Sequence, residues 1–170
     1  YYHDGWGWNS LGADGKVYVS RIGAMKQAAF AFVNTLAANE NEQGTAYRVA
    51  IVRYASNAST PQPLAQVSTQ KNNLLSTIKN LSATGATQAD DGLQNAIDVF
   101  APIKDNAEYK NRGHVVLFFT DGSPTSGNSF EASVASGAVS NAKTLKASTA
   151  NDGYGAKIYS IGIFLSLIHI

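Results

Sequence analysis

The chain has 170 residues, of which 44% are hydrophobic and 15% charged, and its formal net charge at pH 7 is +1. This length and composition predict one globular domain with a sizeable core. The 13 Lys and Arg residues are scattered, so there is no basic stripe that would indicate nucleic-acid binding. No apolar run approaches the roughly 20 residues that span a bilayer. The absence of cysteine excludes disulfides, thiolate metal sites and cysteine nucleophiles.

The first part of the chain predicts a loop, a helix and a strand. Residues 1–20 carry glycines and aromatic residues in no period, which predicts an ordered loop. Apolar residues at three- and four-residue steps predict an amphipathic helix over Arg21–Ala38, with Ser20 as its N-cap. The polar stretch Asn39–Thr45 is predicted to be a loop. The apolar run within Tyr47–Ser56 predicts a strand covered on both faces, as parallel sheets require.

Helices and strands alternate in the rest of the chain. Ala58–Gln66 contains Pro61 and Pro63 and can form at most an edge strand. The other predicted elements are a second helix marked by Leu74 to Leu81, a third helix that ends at Pro102, a buried strand over Val115–Phe119, a fourth helix over Glu131–Ser148 and a buried strand over Lys157–Phe164. This alternation predicts βα units and a parallel sheet. Ligands of such sheets bind outside the carboxyl ends of the strands.

Asp121 follows the most apolar strand of the chain and Thr120, and Gly122 and Pro124 then turn the chain. A carboxylate in this place costs free energy unless it is solvated, hydrogen-bonded or bound to a cation. Because Asp is a common turn residue, the alternative is that Asp121 only caps the following turn. The segment by itself does not separate these two interpretations.

A second polar loop, SATGATQADDGL over residues 82–93, precedes the third helix and contains Thr87. A threonine hydroxyl is a neutral oxygen ligand, and Mg²⁺ accepts such oxygens beside one or two carboxylates and water. The alternative role for Thr87 is the N-cap of the third helix. Asp90 and Asp91 lie in the first turn of that helix, where their charge suits the helix dipole, and we interpret both as structural.

Several segments resemble the von Willebrand factor type A family, in one consistent order over about residues 20–164. GATQADDGL followed by VVLFFTDGSPTSG is similar to the second and third metal-site loops of that family. The family's first helix, its second strand and the strand after its Thr-Asp-Gly loop resemble SRIGAMKQAAFAFVNTL, YRVAIVRYAS and KIYSIGIF. The resemblance implies a Rossmann-like, three-layer α/β/α fold with a mostly parallel central sheet.

The resemblance also implies a metal-ion-dependent adhesion site. Thr87 and Asp121 would hold a divalent cation, Mg²⁺ or Mn²⁺, with Asp121 acting through water. A protein partner would supply an exposed Asp or Glu carboxylate to an open coordination position, because a weakly neutralised cation gains from an incoming negative charge. We therefore expect a binding domain and not an enzyme.

One departure from the family pattern is large. The family's Asp-x-Ser-x-Ser loop, which ends its central first strand, does not occur in this sequence. We expect a partial domain over residues 1–170 that lacks this strand and three of five side-chain contributors, and that binds the cation weakly or not at all. Residues 1–20 would be an inserted loop next to the metal site. Residues 165–170, LSLIHI, resemble read-through of a sequencing adapter, and we expect them to be a non-native tail.

Trp6 and Trp8 are candidate ligand-binding residues in the opening segment, beside the expected metal loop. Aromatic side chains on a glycine-rich rim can bind a partner protein or carbohydrate. The alternative is that both indoles pack against neighbouring strands.

Two other functions compete with metal-dependent adhesion. Residues 121–125 superficially resemble the Asp-x-Asp-x-Thr motif of haloacid dehalogenase-type phosphatases, but Ser123 stands at the second acidic position, so the general acid is absent. The stronger alternative is a structural type A domain of a surface or pilus protein without a functional metal site. FFTDGSPTS and IYSIGIF resemble most the type A domains of bacterial cell-surface and pilus-tip adhesins, commonly Gram-positive. That resemblance implies an extracellular location at the cell surface and a host or matrix protein as partner.

Overall fold

The computed structural model describes residues 2–3, 8–11, 17–18, 20–109, 112–120 and 122–163, and for the first three of these ranges only the backbone. The helices and strands are β1 (Tyr2–His3), β2 (Trp8–Leu11), β3 (Val17–Tyr18), α1 (Arg21–Gln43), β4 (Arg48–Tyr54), β5 (Ala58–Gln66), α2 (Val67–Asn80), α3 (Ala89–Phe100), β6 (Val115–Thr120), α4 (Ala132–Lys146) and β7 (Lys157–Gly162). The chain divides into two compact units. The first comprises Tyr1–Ile51, Leu64–Ala83 and Ile163–Ile170, and the second comprises Val52–Pro63 and Thr84–Gly162.

The opening segment contains three short antiparallel strands. β1 pairs with β2 through Tyr2 and Asn9, and β2 pairs with β3 through Ser10 and Tyr18. The prediction of a loop was therefore wrong for these residues. Strands of two to four residues are paired through their backbones and are too short to show an alternating pattern in the sequence.

Helix α1 begins as predicted and ends later than predicted. The Ser20 side chain accepts a hydrogen bond from the Gly23 N–H at 3.1 Å, which confirms the N-cap. Gly44 ends the helix in the left-handed conformation, with φ of 65° and its N–H bonded to the Glu40 carbonyl. The predicted loop at Asn39–Thr45 was wrong over its first five residues. The helix includes the polar residues 39–43 and ends where Gly44 adopts the left-handed conformation.

The core of the first unit lies between α1 and α2. Val33 and Ala37 of α1 are buried against residues of α2, and strand β4 supplies further apolar contacts. The buried residues of this core are Val33, Ala37, Val67, Leu74 and Ile78. Val33 and Ala37, and Leu74 and Ile78, are four residues apart, and Val67 lies two helical turns before Leu74, as expected for helices that bury one face.

Two buried charged residues of α1 bind opposite ends of α2. Glu40, 7% exposed, accepts hydrogen bonds from the Ser68 N–H at 3.0 Å, the Ser68 hydroxyl at 3.0 Å and the Gln66 amide at 2.7 Å. Lys26, 6% exposed, donates from Nζ to the Lys79 carbonyl at 2.8 Å. A carboxylate thus caps the start of α2 and an ammonium group its end, which is the arrangement that the helix dipole favours.

The environment of these two groups changes their pKa values. Burial alone raises the pKa of the Glu40 carboxyl, but hydrogen bonds from Gln66, from Ser68 and at the backbone of Tyr47 outweigh it, so the pKa lies below its usual value. Burial lowers the pKa of the Lys26 ammonium group. Glu40 therefore stays ionised as the cap of α2.

Strands β4 and β5 form a two-stranded sheet. Three residues, 55–57, connect them, so they make a hairpin, and the Ala55 N–H donates to the Asn57 carbonyl at 2.9 Å. The strand over Ala58–Gln66 is confirmed, and in the described residues it pairs with β4 alone, as its prolines require. Val49 to Val52 of β4 are half-buried, whereas Arg48 and Arg53 are exposed, so both faces are covered only in part.

The second unit is built on the parallel pair β6 and β7, which run in register from Val115 beside Lys157 to Thr120 beside Gly162. The prediction that β6 is a parallel strand is therefore confirmed. One face packs on α3 and α4 in a core of Leu93, Phe100, Leu145 and Ala156, against which Val116, Phe118 and Ile158 are packed.

The prediction that both strands are buried was wrong. Val115 is 49%, Tyr159 53% and Ile161 38% exposed. Side chains alternate between the two faces of a strand, and the helices of the second unit cover only the face that carries Val116, Phe118 and Ile158. The continuous apolar sequence of these strands predicted that both faces of the pair would be covered. Among the described residues of this unit, helices cover one face.

The described residues thus form an α/β structure with four α-helices, one parallel pair and two antiparallel elements. β4–β5 and β6–β7 are separate two-stranded sheets among these residues, so the predicted three-layer arrangement around one sheet is not confirmed. No helix in the described part of the chain is both long enough and apolar enough to cross a membrane.

Candidate functional site

The two polar loops selected from the sequence are joined by Thr87 and Thr125. The Thr87 N–H donates to the Thr125 carbonyl at 3.2 Å and to its hydroxyl at 2.9 Å. The Thr125 N–H donates in return to the Thr87 carbonyl at 3.0 Å. This antiparallel bridge holds the loop before α3 beside the loop after β6, as the predicted sheet edge requires.

The hairpin turn after β4 fixes the loop before α3. The Gln88 N–H donates to the Ala55 carbonyl at 2.9 Å, and the Ala86 N–H donates to the Ser56 hydroxyl at 2.9 Å. Gly85 has φ of 88°, and a Cβ there would lie 2.4 Å from the Ser56 Oγ. Only glycine fits both the conformation and the space, so the backbone of this loop has little freedom.

Gln88, and not Thr87, is the N-cap residue of α3, so the alternative role of Thr87 as N-cap was wrong. The Gln88 amide, oriented by its surroundings, donates to the Ser56 carbonyl and to the Asp91 carboxylate, each at 2.8 Å. The half-buried Thr87 is held through its backbone on both sides. Its hydroxyl makes no hydrogen bond with any residue that the structure describes.

Asp90 and Asp91 lie in the first turn of α3, as predicted. Asp90 faces α4, where a Cβ on Gly137 would lie 3.0 Å from the Asp90 Cβ, and Asn141 donates to the Asp90 carbonyl at 3.0 Å. The Oδ1 atom of Asp90 is buried and has no hydrogen-bond partner among the described residues. Both aspartates thus lie in the first turn of α3, and Asp90 also contacts α4.

The loop after β6 is closed by short contacts. The Thr120 hydroxyl donates to the Gly122 carbonyl at 3.2 Å, the Glu131 N–H donates to the Pro124 carbonyl at 3.0 Å, and Thr125 bridges to Phe130. Asp121 lies outside the described residues, between Thr120 and Gly122. Its role as a metal ligand therefore stays a prediction.

Tyr54 connects the end of β6 to the start of α3. Its hydroxyl donates to the Phe119 carbonyl at 2.6 Å, and its ring stacks on Phe118 with centroids 5.3 Å apart. A Cβ on Gly92 would lie 2.8 Å from the same ring, so glycine lets α3 approach. The sequence predicted no role for Tyr54, Ser56 or Thr125, because nothing in the pattern distinguishes them from other polar residues at a strand end or in a loop.

The remaining predicted site residues lie in the opening segment. Trp6 is outside the described residues, and only the backbone of Trp8 is described, within β2. In the described ranges no group of three or more His, Asp, Glu or Cys side chains could hold a metal ion. Of the predicted metal ligands, the described residues include Thr87. Its hydroxyl oxygen suits a hard cation that keeps several of its waters.

The sequence model of the von Willebrand factor type A domain matches residues 19–166. The chain belongs to this family. The match includes all four helices and the strands β4 to β7, so it confirms the resemblance given by the sequence and the Rossmann-like α/β class. Type A domains in general have protein-interaction or adhesion-type functions. No curated protein matches the chain.

Proposed function

We propose that this type A domain binds a protein partner through a divalent cation, Mg²⁺ or Mn²⁺. Thr87 and Asp121 hold the cation, and an exposed Asp or Glu carboxylate of the partner completes its coordination. The domain acts in binding and adhesion and not as an enzyme. It belongs to a bacterial surface or pilus protein and works on the extracellular side.

The observation that carries this proposal is the state of the Thr87 hydroxyl. The Thr87 hydroxyl oxygen is not among the buried side-chain atoms without a partner in the described residues, so it is open to solvent and to a ligand. The backbone of Thr87 is fixed by Thr125 and by the start of α3, while its hydroxyl makes no hydrogen bond among the described residues. An oxygen carried on a fixed backbone and open to a ligand suits binding, because the backbone loses little further conformational entropy when the ligand binds.

The sequence also sets the expected strength of binding. One carboxylate, Asp121, neutralises only part of the charge of a divalent cation, and Mg²⁺ releases its water reluctantly. The incomplete neutralisation favours an added carboxylate from a partner. The sequence contains no Asp-x-Ser-x-Ser loop, so we expect the 170-residue chain alone to bind the cation weakly.

Water-proton relaxation in the presence of Mn²⁺ tests this proposal, since it detects weak binding of a paramagnetic ion. We expect saturable enhancement with the wild-type chain. Thr87→Val and Asp121→Asn should each weaken it by at least about tenfold, the size of one charge-assisted contact. Asp105→Asn, an exposed acid of the same unit, is the matched control and should change the affinity less than about twofold.

A peptide with one Glu, compared with the same peptide carrying Gln, then tests the partner carboxylate. The Glu peptide should bind more tightly when Mn²⁺ is present, and the difference should vanish with EDTA. Enhancement that is absent from the wild type, or equal in all four proteins, would contradict the proposal and favour a structural type A domain.

The extracellular location rests on the resemblance of FFTDGSPTS and IYSIGIF to adhesin domains. Antibodies raised against this chain should label intact cells of the source organism. Labelling only after lysis would contradict a surface location and leave the metal site to be judged by the relaxation experiment.

A further inference from the structure

Three residues of the candidate site, Thr87, Thr125 and Phe130, lie side by side in a short antiparallel ladder, which we call the bridge row. Thr125 is bridged to Thr87 and to Phe130. Residues directly opposite each other in antiparallel pairs carry their side chains on the same face, with Cβ atoms about 4.5–5.5 Å apart. The side chains of Thr87 and Phe130 therefore lie on one face of the bridge row, with their Cβ atoms roughly 10 Å apart.

The backbone around Phe130 is fixed. The Glu131 N–H donates to the Pro124 carbonyl at 3.0 Å. The Glu131 carboxylate accepts hydrogen bonds from the Ser133 hydroxyl at 2.9 Å and from the Ser126 hydroxyl at 3.4 Å. Phe130 is thus attached to the loop after β6 on one side and to the start of α4 on the other. A contact made by its ring orders little further backbone.

The Phe130 ring is exposed on this fixed backbone. Phe130 is 62% exposed, the highest value among the large hydrophobic residues described, and residues 126–129, Ser-Gly-Asn-Ser, are exposed around it. A single exposed apolar residue is ordinary on a protein surface. Phe130 differs from such residues because it shares a face with Thr87, the proposed cation ligand, and because aromatic side chains are enriched at protein interfaces.

We propose that Phe130 is the apolar contact for the partner segment that supplies the carboxylate, an inference that rests on the proposed function. In an extended segment, residues i and i+2 lie on one face about 6.8 Å apart. An acidic and a large apolar side chain at this spacing reach the Thr87 end and the Phe130 end of the bridge row together. Neighbouring residues point to opposite faces and do not.

The two contacts make different contributions to recognition. The charge of the partner carboxylate orients the segment, but exposed acidic residues occur on most proteins. The apolar contact with Phe130 selects among acidic segments, because a segment without an apolar side chain at the right spacing leaves the ring in water. The partner is therefore a protein with an exposed, extended segment that carries Asp or Glu two residues from a large apolar residue.

Amide NMR titration of the ¹⁵N-labelled 170-residue chain with short Gly-Ser peptides tests this inference, in Mg²⁺ and in EDTA. Each peptide carries one Glu and one Leu, either adjacent or two residues apart, in both orders. With Mg²⁺ we expect saturable shifts at Thr125, Phe130 and Glu131, and a two-residue spacing should bind at least about fivefold more tightly than the adjacent pair. A peptide with Ser in place of Leu measures the carboxylate alone.

Substitution of Phe130 tests the apolar contact. Phe130→Ala should weaken binding of the preferred peptide about tenfold, as loss of a partly buried apolar contact does, and leave binding of the Ser peptide unchanged. Phe130→Leu keeps an apolar side chain and should restore affinity to within about threefold of the wild type. Val139→Ala, which truncates an exposed apolar residue of α4, is the matched control and should change affinity less than about twofold.

Mn²⁺ relaxation enhancement of the same proteins separates this inference from the proposed function. Phe130→Ala should keep the Mn²⁺ affinity of the wild type, because Phe130 supplies no metal ligand. Normal enhancement with equal peptide affinities of wild type and Phe130→Ala, or with tighter binding of the adjacent spacing, would overturn the role of Phe130 alone. Enhancement absent from the wild type would overturn the proposed function and this inference with it.

Discussion

Polar side chains are hydrogen-bonded within the chain in the α1–α2 pair, whereas in the loops joined by Thr87 and Thr125 one side chain, that of Thr87, is not. In the helix pair, Glu40 accepts three hydrogen bonds from Gln66 and Ser68. In the loops, the Thr87 backbone is bonded on both sides, but its hydroxyl is not bonded to any described residue.

This difference separates polar groups that stabilise the fold from groups that are available for binding. A buried carboxylate that lost its partners would destabilise the protein strongly, so it is retained only where the chain satisfies it. An unbonded hydroxyl destabilises the folded state less than an unbonded carboxylate does, so a loop can carry such a hydroxyl at a binding site. Substitutions in the first region should therefore change stability, and substitutions of Thr87 should change binding.

The largest expected effect is that of Glu40→Ala. The substitution removes three hydrogen bonds and leaves the Ser68 N–H without its acceptor, which should lower the free energy of unfolding by about 3 kcal/mol. Urea unfolding followed by circular dichroism measures it. Glu42→Ala, an exposed residue of the same helix, should change stability by less than about 0.5 kcal/mol. Equal effects of the two substitutions would refute the capping role of Glu40.

Gly85→Ala should have the next largest effect, about 2 kcal/mol, because φ of 88° is strained for alanine and its Cβ would meet Ser56. The same substitution should also weaken Mn²⁺ binding, since it displaces the loop that carries Thr87. Gly127→Ala is the matched control, as a Cβ there meets nothing within 4 Å. Comparable unfolding midpoints for the two variants would show that the loop is not rigid.

The contribution of Glu40 to the free energy of unfolding should decrease at acid pH. The pKa of Glu40 is lower in the folded chain than its usual value of about 4.3. Its ionised form therefore contributes stability that is present above pH 4.3 and is lost as the pH falls through the folded pKa. The stability difference between wild type and Glu40→Gln should be constant from about pH 5 to 7 and shrink below about pH 4. A difference that grows on acidification would give the opposite sign and contradict this assignment.

The smallest expected change in stability is that of Thr87→Val. The free energy of unfolding should change by less than about 0.5 kcal/mol, because the hydroxyl has no described partner to lose. Thr125→Val removes the Oγ1 acceptor of the Thr87 N–H and should cost about 1 kcal/mol. Urea unfolding of the two variants side by side measures the contrast. A larger loss for Thr87→Val would mean that its hydroxyl is structural.

Local patterns predicted much of the fold. The apolar periodicity around Val33 and Leu74 and the apolar run at Val115 correctly predicted the helices and the strand, and several motifs in one order identified the family. The end of α1 was mispredicted because Glu40 is polar yet buried by contacts with Gln66 and Ser68, which lie 26 and 28 residues away. A sequence pattern records the polarity of a residue and not its distant partner.

The candidate site was predictable to a different degree. Thr87 could be selected because a hydroxyl before a helix is a recognisable ligand type, but Thr125, which holds its backbone, lies 38 residues away and carries no distinguishing pattern. Likewise, the half-exposed strands β6 and β7 have the sequence of buried strands, because apolarity gives the preference of a side chain and not what covers it.

The most direct test of the metal site is the position of Mn²⁺ on the chain. Trace Mn²⁺ added to the ¹⁵N-labelled protein should broaden first the amides of Ala86, Thr87, Gly122 and Thr125, and should affect least those of Val115 and Lys157, at the other end of β6 and β7. Thr87→Val should remove this broadening while the rest of the amide spectrum is unchanged. Broadening that centres instead on exposed acids such as Asp105 or Asp152, and that persists in Thr87→Val, would contradict the account.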